Sequence, residues 1–223
     1  MMNDSDSKQL LLNLRTFPSM GREDYIVSSI NKDAVIWLDI WPNWPSLGFI
    51  VCGPAGSGKS HLASALQTLS HGFIIEAKNL EESKLGNLTE NKCLIVEDIH
   101  KFKSEKLLLH IYNMMVERNN NLMFTSNKPI SHINFKLLDL KSRILSMPQI
   151  NIGLPDDELL KNLLIKQFAD KGVLVDLEVI NYIIKRIDRS FESIIKMVSR
   201  INTLSLEKSK KITIPFLKNV FKL

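Results

Sequence analysis

The octapeptide Gly53-Pro54-Ala55-Gly56-Ser57-Gly58-Lys59-Ser60 has the residue types and spacing of a phosphate-binding loop. Glycines let backbone N–H groups wrap a phosphate, and the N-terminus of a following helix adds partial positive charge. Gly53, Pro54, Gly56, Ser57, Gly58, Lys59 and Ser60 are therefore candidate nucleotide-binding residues, with Lys59 reaching the β and γ phosphates and Ser60 offering its hydroxyl to Mg2+. About 35 residues further on, Leu94-Ile95-Val96-Glu97-Asp98 is an apolar run ending in two carboxylates. In nucleoside-triphosphate hydrolases one carboxylate at such a strand end holds Mg2+, here Glu97, and a neighbour orients the attacking water, here Asp98. A third segment, Phe124-Thr125-Ser126-Asn127, ends in an amide that could contact a γ phosphate or that water. Taken alone, Asn127 before Lys128-Pro129 is equally well a turn residue.

These groups converge only if strands carry them to one edge of a sheet. Short apolar, β-branched runs at 49–52, 73–76, 93–97, 122–126 and 149–152 read as strands buried on both faces, because they are nearly continuous rather than alternating. Helical segments such as 59–70 and 104–119 lie between them, which predicts a parallel five-stranded α/β domain covered by helices. After Pro155 the pattern becomes wholly helical: Leu159, Leu160, Leu163, Leu164 and Phe168 recur at helical spacing, and Gly172 is the expected stop. Further helices are expected at 177–187 and 190–207, followed by a short one at 215–222 opened by Pro215.

With 223 residues and 44% hydrophobic content, the chain can build a packed core, which excludes a disordered or disulfide-scaffold protein. The net charge of +5 is uneven: residues 1–100 carry −4, residues 101–150 carry +5 and residues 151–223 carry +4. Cys52 and Cys93 sit inside apolar runs as small hydrophobes, consistent with a reducing cytoplasm. No apolar stretch approaches the roughly 18 residues of a membrane span, so no membrane is expected as a partner and the location expected is cytoplasmic. The five histidines lack metal-ligand spacing. Trp37 and Trp41 are i and i+4 on an expected helix in the acidic half, so with Trp44 they read as core rather than as a base-stacking platform.

The order of these motifs, followed by Leu140-Lys141-Ser142-Arg143 and a helical region containing Asp188-Arg189, resembles the AAA+ family of P-loop NTPases. Within it the chain is similar to the DnaA-type replication initiators and their regulatory homologues. Gly21-Arg22-Glu23-Asp24, the run Trp37 to Pro45 and the ending Ile212-Thr213-Ile214-Pro215 add to that likeness. The resemblance implies bound ADP or ATP with Mg2+, a small C-terminal all-helical lid, and domain limits of 1–16, 17–153 and 154–223. It places at Arg143 an arginine finger that acts in trans on a nucleotide held by a neighbouring protomer, and at Arg189 a lid residue directed at the chain's own nucleotide. On residues alone, Arg143 could instead pair with Asp139, and Arg189 could belong to a solvated cluster with Lys185 and Arg186.

Gln9-Leu10-Leu11-Leu12-Asn13-Leu14 resembles the peptide that docks proteins on the bacterial DNA polymerase sliding clamp, with Gln9, Leu10, Leu12 and Leu14 as anchors; the alternative is a strap folded back on the α/β domain. The implied function is a nucleotide-bound negative regulator of replication initiation that binds the clamp and stimulates ATP hydrolysis by DnaA, with a homodimer possible. The chain stops at Leu223, just past the expected lid, so sequence-specific DNA binding through a further C-terminal domain is not expected. One departure concerns the order Glu97-Asp98, where the superfamily usually has Asp first. Asp98 is a methylene short of the Glu often found at its position, and small misplacements at a reacting centre are costly, so weak intrinsic ATPase activity is expected. The alternative function is an autonomous AAA+ ATPase, such as a helicase loader that binds single-stranded DNA through its basic second half.

Overall fold

The computed structural model describes residues 26–221; the clamp-type peptide with Gln9, Leu10, Leu12 and Leu14 lies outside them. The first helix, α1 (Lys32–Asp39), precedes the strand β1 (Gly48–Cys52), and α2 (Lys59–Ser70) leads to β2 (Phe73–Glu76). Next come α3 (Leu85–Thr89), β3 (Cys93–Glu97), α4 (Glu105–Glu117), β4 (Asn121–Ser126), α5 (Leu138–Ser146) and β5 (Gln149–Asn151). Four helices complete the described chain: α6 (Asp157–Ala169), α7 (Leu177–Ile184), α8 (Phe191–Glu207) and α9 (Ile214–Val220).

The strands form one parallel sheet in the order β2-β3-β4-β1-β5. Side chains alternate across it. Ile50, Cys52, Leu94, Val96, Leu122 and Phe124 face a core completed by Leu108, Ile111 and Met115 of α4 and by Leu140 and Ile144 of α5. Phe49, Val51, Cys93, Ile95 and Met123 face the opposite core, closed by Ala34, Val35 and Leu38 of α1 and Leu62, Ala63 and Leu66 of α2. Helices on both faces are why β1, β3 and β4 read as unbroken apolar runs.

The expectation of two-sided burial fails at the sheet margins. β2 and β5 are the edge strands; Phe73 is exposed, and of β5 only Ile150 is buried. Helix α1 also ends sooner than expected, at Asp39, which puts Trp41 beyond it. Pro42 accounts for this, because the residue before a proline is driven away from helical geometry. The tryptophans nevertheless pack inward: Trp44 stands edge-on to Trp37, Trp41 and Phe49, with ring centroids 5.9, 5.0 and 4.9 Å away. Its indole N–H donates to the Trp37 carbonyl at 2.7 Å.

The helical C-terminal region has its own core, in which Leu160, Leu164 and Phe168 of α6 meet Ile180 and Ile183 of α7, Val198 and Ile201 of α8, and Leu217 of α9. Its helix starts are set locally. Asp156, Ser190 and Thr213 each accept a hydrogen bond from the backbone N–H three residues on, and Pro215 occupies the first turn of α9. Gly172 takes φ +70° just past α6, where the sequence places the stop. Ile26 and Ile30, ahead of α1, pack against this helical core and so tie the two regions together.

Candidate functional site

The loop Gly53–Ser60 joins the C-terminal end of β1 to α2, which begins at Lys59. Gly53 N–H donates to the Ser126 carbonyl at 3.0 Å, extending the β1–β4 ladder and fixing where the loop leaves the sheet. Gly56 and Gly58 have φ of +76° and +93°, in the left-handed region, and Gly58 forms the N-cap of α2. No side chain caps this 12-residue helix and no acidic residue lies in its first turn, so the positive end of its dipole is not neutralised from within. The Ser57 hydroxyl is fully buried without a hydrogen-bond partner.

Lys59, only 8% exposed, folds over the loop and donates from Nζ to the carbonyls of Gly53 and Pro54, each at 2.8 Å. Burial pushes its ammonium pKa below the ordinary value, opposed by the nearby carboxylates of Asp98 and Glu97. A buried cation satisfied only by two carbonyls, an unpartnered buried hydroxyl and a helix N-terminus free of competing carboxylates together fit a phosphate chain.

Glu97 ends β3 and Asn127 directly follows β4, so both lie at the carboxyl edge of the sheet with the loop. The register pairs Cys52 with Ser126 and Val96 with Phe124, so Asn127 follows β4 at the level where Gly53 leaves β1. Asp98 turns the chain with φ +55°. Its N–H donates to Thr125 Oγ1 at 3.0 Å, and its carboxylate is held by Lys101 Nζ at 2.6 Å. The sequence assigns Thr125 no role toward Asp98, because that contact spans 27 residues and exists only once β3 and β4 are paired, whereas Lys101, three residues after Asp98, was a usable local signal. Next to Asp98, both ring nitrogens of His100 are inaccessible and unpartnered; burial lowers its pKa, with Asp98 acting against that shift. Among the described residues no group of three or more His, Cys, Asp or Glu could itself hold a metal ion. A cation here would therefore rely on Ser60, Glu97 and the phosphate oxygens.

Arg143 lies on α5, on the sheet face opposite α2. Its Nε donates to Asp139 Oδ1 at 2.8 Å, and the guanidinium carbon stands 5.6 Å from the centre of the Tyr112 ring. The pairing with Asp139 that the spacing suggested is thus present. With 38% of the side chain exposed and only an i,i+4 partner, that pairing holds Arg143 weakly.

The helical region roofs the phosphate loop. Phe191 N–H donates to the Gly56 carbonyl at 2.8 Å, and a Cβ at Gly56 would sit 2.6 Å from Ser190 Cβ. Beside this contact lies a cavity of about 360 Å³, lined on the loop side by Lys59 and Ser60 and on the helical side by Lys166 of α6 and Phe191, Glu192 and Lys196 of α8. Arg189, the lid residue expected from the motif order, does not line it; its Nη2 pairs with Asp157 Oδ1 at 2.8 Å. Glu192 and Lys196 went unremarked in the sequence, although their i,i+4 spacing just after the Ser190 cap was a usable signal.

A strand-loop-helix phosphate cradle, acidic strand ends and a helical lid on one parallel sheet make up the AAA+ P-loop fold. Residues 156–221 match the family model "Hda, lid domain". An uncharacterized protein of Haemophilus influenzae is 25% identical over 193 residues, covering 78% of this chain and 81% of that one. The chromosomal replication initiator protein DnaA of Treponema denticola is 23% identical over 195 residues, covering 76% of this chain but 42% of the initiator, so the chain spans less than half of that relative. Domain III of the Thermotoga maritima replication initiation protein DnaA superposes with a TM-score of 0.75 at 16% identity, over 92% of this chain and 98% of that domain. The chain thus has the fold of the AAA+ P-loop proteins and is similar to Hda in its lid and to DnaA over most of its length, as the motif order implied.

Proposed function

We propose that this protein binds ADP or ATP with Mg2+ between its phosphate loop and helical lid, and that in this state it restrains replication initiation by acting on DnaA. The observation that carries the reading is the loop geometry under an Hda-type lid: Lys59 turned onto its own carbonyls, Gly56 at positive φ, and α8 seated on Gly56. Gly53, Pro54, Gly56, Ser57 and Gly58 form the cradle, Lys59 neutralises phosphate charge, and Ser60 and Glu97 hold Mg2+. Asn127 and Asp98 face the reacting end, and the hold of Lys101 on Asp98 accords with slow hydrolysis by the chain alone.

Arg143 is the residue offered to the partner. It stands on the sheet face away from its own α2 and is restrained only by an exposed ion pair and a ring contact, so it can turn toward the ATP of a DnaA protomer. A guanidinium delivered in trans can accelerate phosphoryl transfer by about 10³–10⁵. Gln9, Leu10, Leu12 and Leu14 dock the protein on the sliding clamp, bringing it to replicating DNA.

Hydrolysis of DnaA-bound ATP, followed with clamp loaded on DNA, tests this reading. Wild type is expected to stimulate hydrolysis, and Arg143→Ala to lose most of that stimulation while keeping clamp and nucleotide binding. Lys59→Ala is expected to lose nucleotide. Full stimulation by Arg143→Ala rejects the finger, whereas rapid hydrolysis by this chain alone, strengthened by single-stranded DNA, favours an autonomous motor.

A further inference from the structure

Arg189, the lid cation expected to face the cavity between the phosphate loop and the lid, is turned to Asp157 instead. Two other lid cations, Lys166 of α6 and Lys196 of α8, do line the cavity, together with Lys59 and Ser60, and the ammonium of Lys196 is engaged by Glu192 one turn earlier on α8. The two partners are not held equally. Glu192 sits in the first turn of a 17-residue helix, where the dipole favours a carboxylate, while Lys196 lies beyond that turn at the end of a long stem. Their side chains are 61% and 74% exposed, so the pair is weak and a denser negative charge in the cavity can displace it.

We infer that Lys196 is a phosphate-binding cation of the lid and that Glu192 masks it until a nucleotide polyphosphate enters. This rests on the reading of the cavity as a nucleotide site. Binding exchanges the Glu192–Lys196 pair for a Lys196–phosphate pair, leaving Glu192 as a like charge that limits affinity. A Lys196–phosphate pair would tie α8 to the loop a second time, beside the Phe191 N–H that donates to the Gly56 carbonyl.

Fluorescent ADP and ATP analogues, titrated in Mg2+ against the full chain, provide the test. Lys196→Met is expected to weaken both by about tenfold, the loss of one charge-assisted hydrogen bond. Glu192→Gln is expected to tighten both by a few-fold, Lys196→Arg to bind as wild type, and the distant Lys208→Met to change nothing. Wild-type affinity in Lys196→Met, or weaker binding in Glu192→Gln, overturns the assignment, as does a loss confined to Arg189→Ala. Both variants change exposed residues, so unchanged melting without nucleotide is expected. Failure of wild type to bind either analogue overturns the nucleotide reading itself, and this inference with it.

Discussion

Single residues at this sheet edge carry opposite demands. Lys59 must stay charged while nearly buried, and it does so by borrowing two carbonyls of its own loop. Cys93 lies on β3 away from that edge and shows the other outcome of burial, a thiol pushed up to about 12 from an ordinary value near 9. Cys52 shifts in the same direction, again chiefly through burial. For an acid whose folded pKa is raised, the stabilising contribution is complete below the unfolded pKa and is lost as pH rises toward the folded one. The unfolding free energy should therefore fall between about pH 9 and pH 12 more steeply in wild type than in Cys93→Ala, measured by urea denaturation across that range. A matching slope in the two proteins would remove Cys93 as the cause. Native protein at pH 8 should likewise resist alkylation at both cysteines until denaturant is added.

At the scale of elements, the contact between α8 and the phosphate loop joins lid to cradle. Gly56→Ala places a methyl 2.6 Å from Ser190 Cβ at a φ of +76°, so it should destabilise the protein by about 1–3 kcal/mol and weaken nucleotide binding together. Adding Ser190→Gly removes the opposing Cβ and costs little as an N-cap, so the double variant should recover affinity beyond the sum of the single effects. Strict additivity in urea denaturation and nucleotide titration would show that the clash is not what separates lid and loop. The elements themselves were largely legible: the phosphate loop, β1, β3, β4 and α2 follow from motif and apolar continuity, because two-sided burial leaves its mark on every residue. The edge strands are not legible in the same way, since a run such as Phe73-Ile74-Ile75 has the same composition whether one face is covered or both. Within the site, pairings local in sequence, such as Arg143 with Asp139, were readable, whereas Asp98 with Thr125 was not. The aim of Arg189 away from the cavity was equally hidden, because residue type does not say which way a helix end turns.

For the whole molecule, charge and architecture bear on the same question. The positive excess lies in residues 101–223, which hold Arg143 and the entire lid, while residues 1–100 are net negative. Among the described residues no helix is long and apolar enough to cross a membrane. On the proposed reading the protein has two separate attachments, the segment Gln9 to Leu14 for the clamp and Arg143 for DnaA-bound ATP. The first contributes by raising the local concentration of the second, as any tether does, so the two should fail differently. Deleting residues 1–14 should leave nucleotide affinity unchanged, abolish retention on the clamp and reduce stimulation of DnaA at low protein concentration. Raising the concentration of the truncated protein should restore stimulation, because the guanidinium is intact and only its delivery was impaired. Arg143→Ala should show the reverse: full retention on the clamp, and no recovery of stimulation at any concentration. A concentration series of both variants, read by DnaA ATP hydrolysis with clamp on DNA, separates tether from finger. Recovery by Arg143→Ala, or full clamp binding by the truncated chain, would break that division of labour.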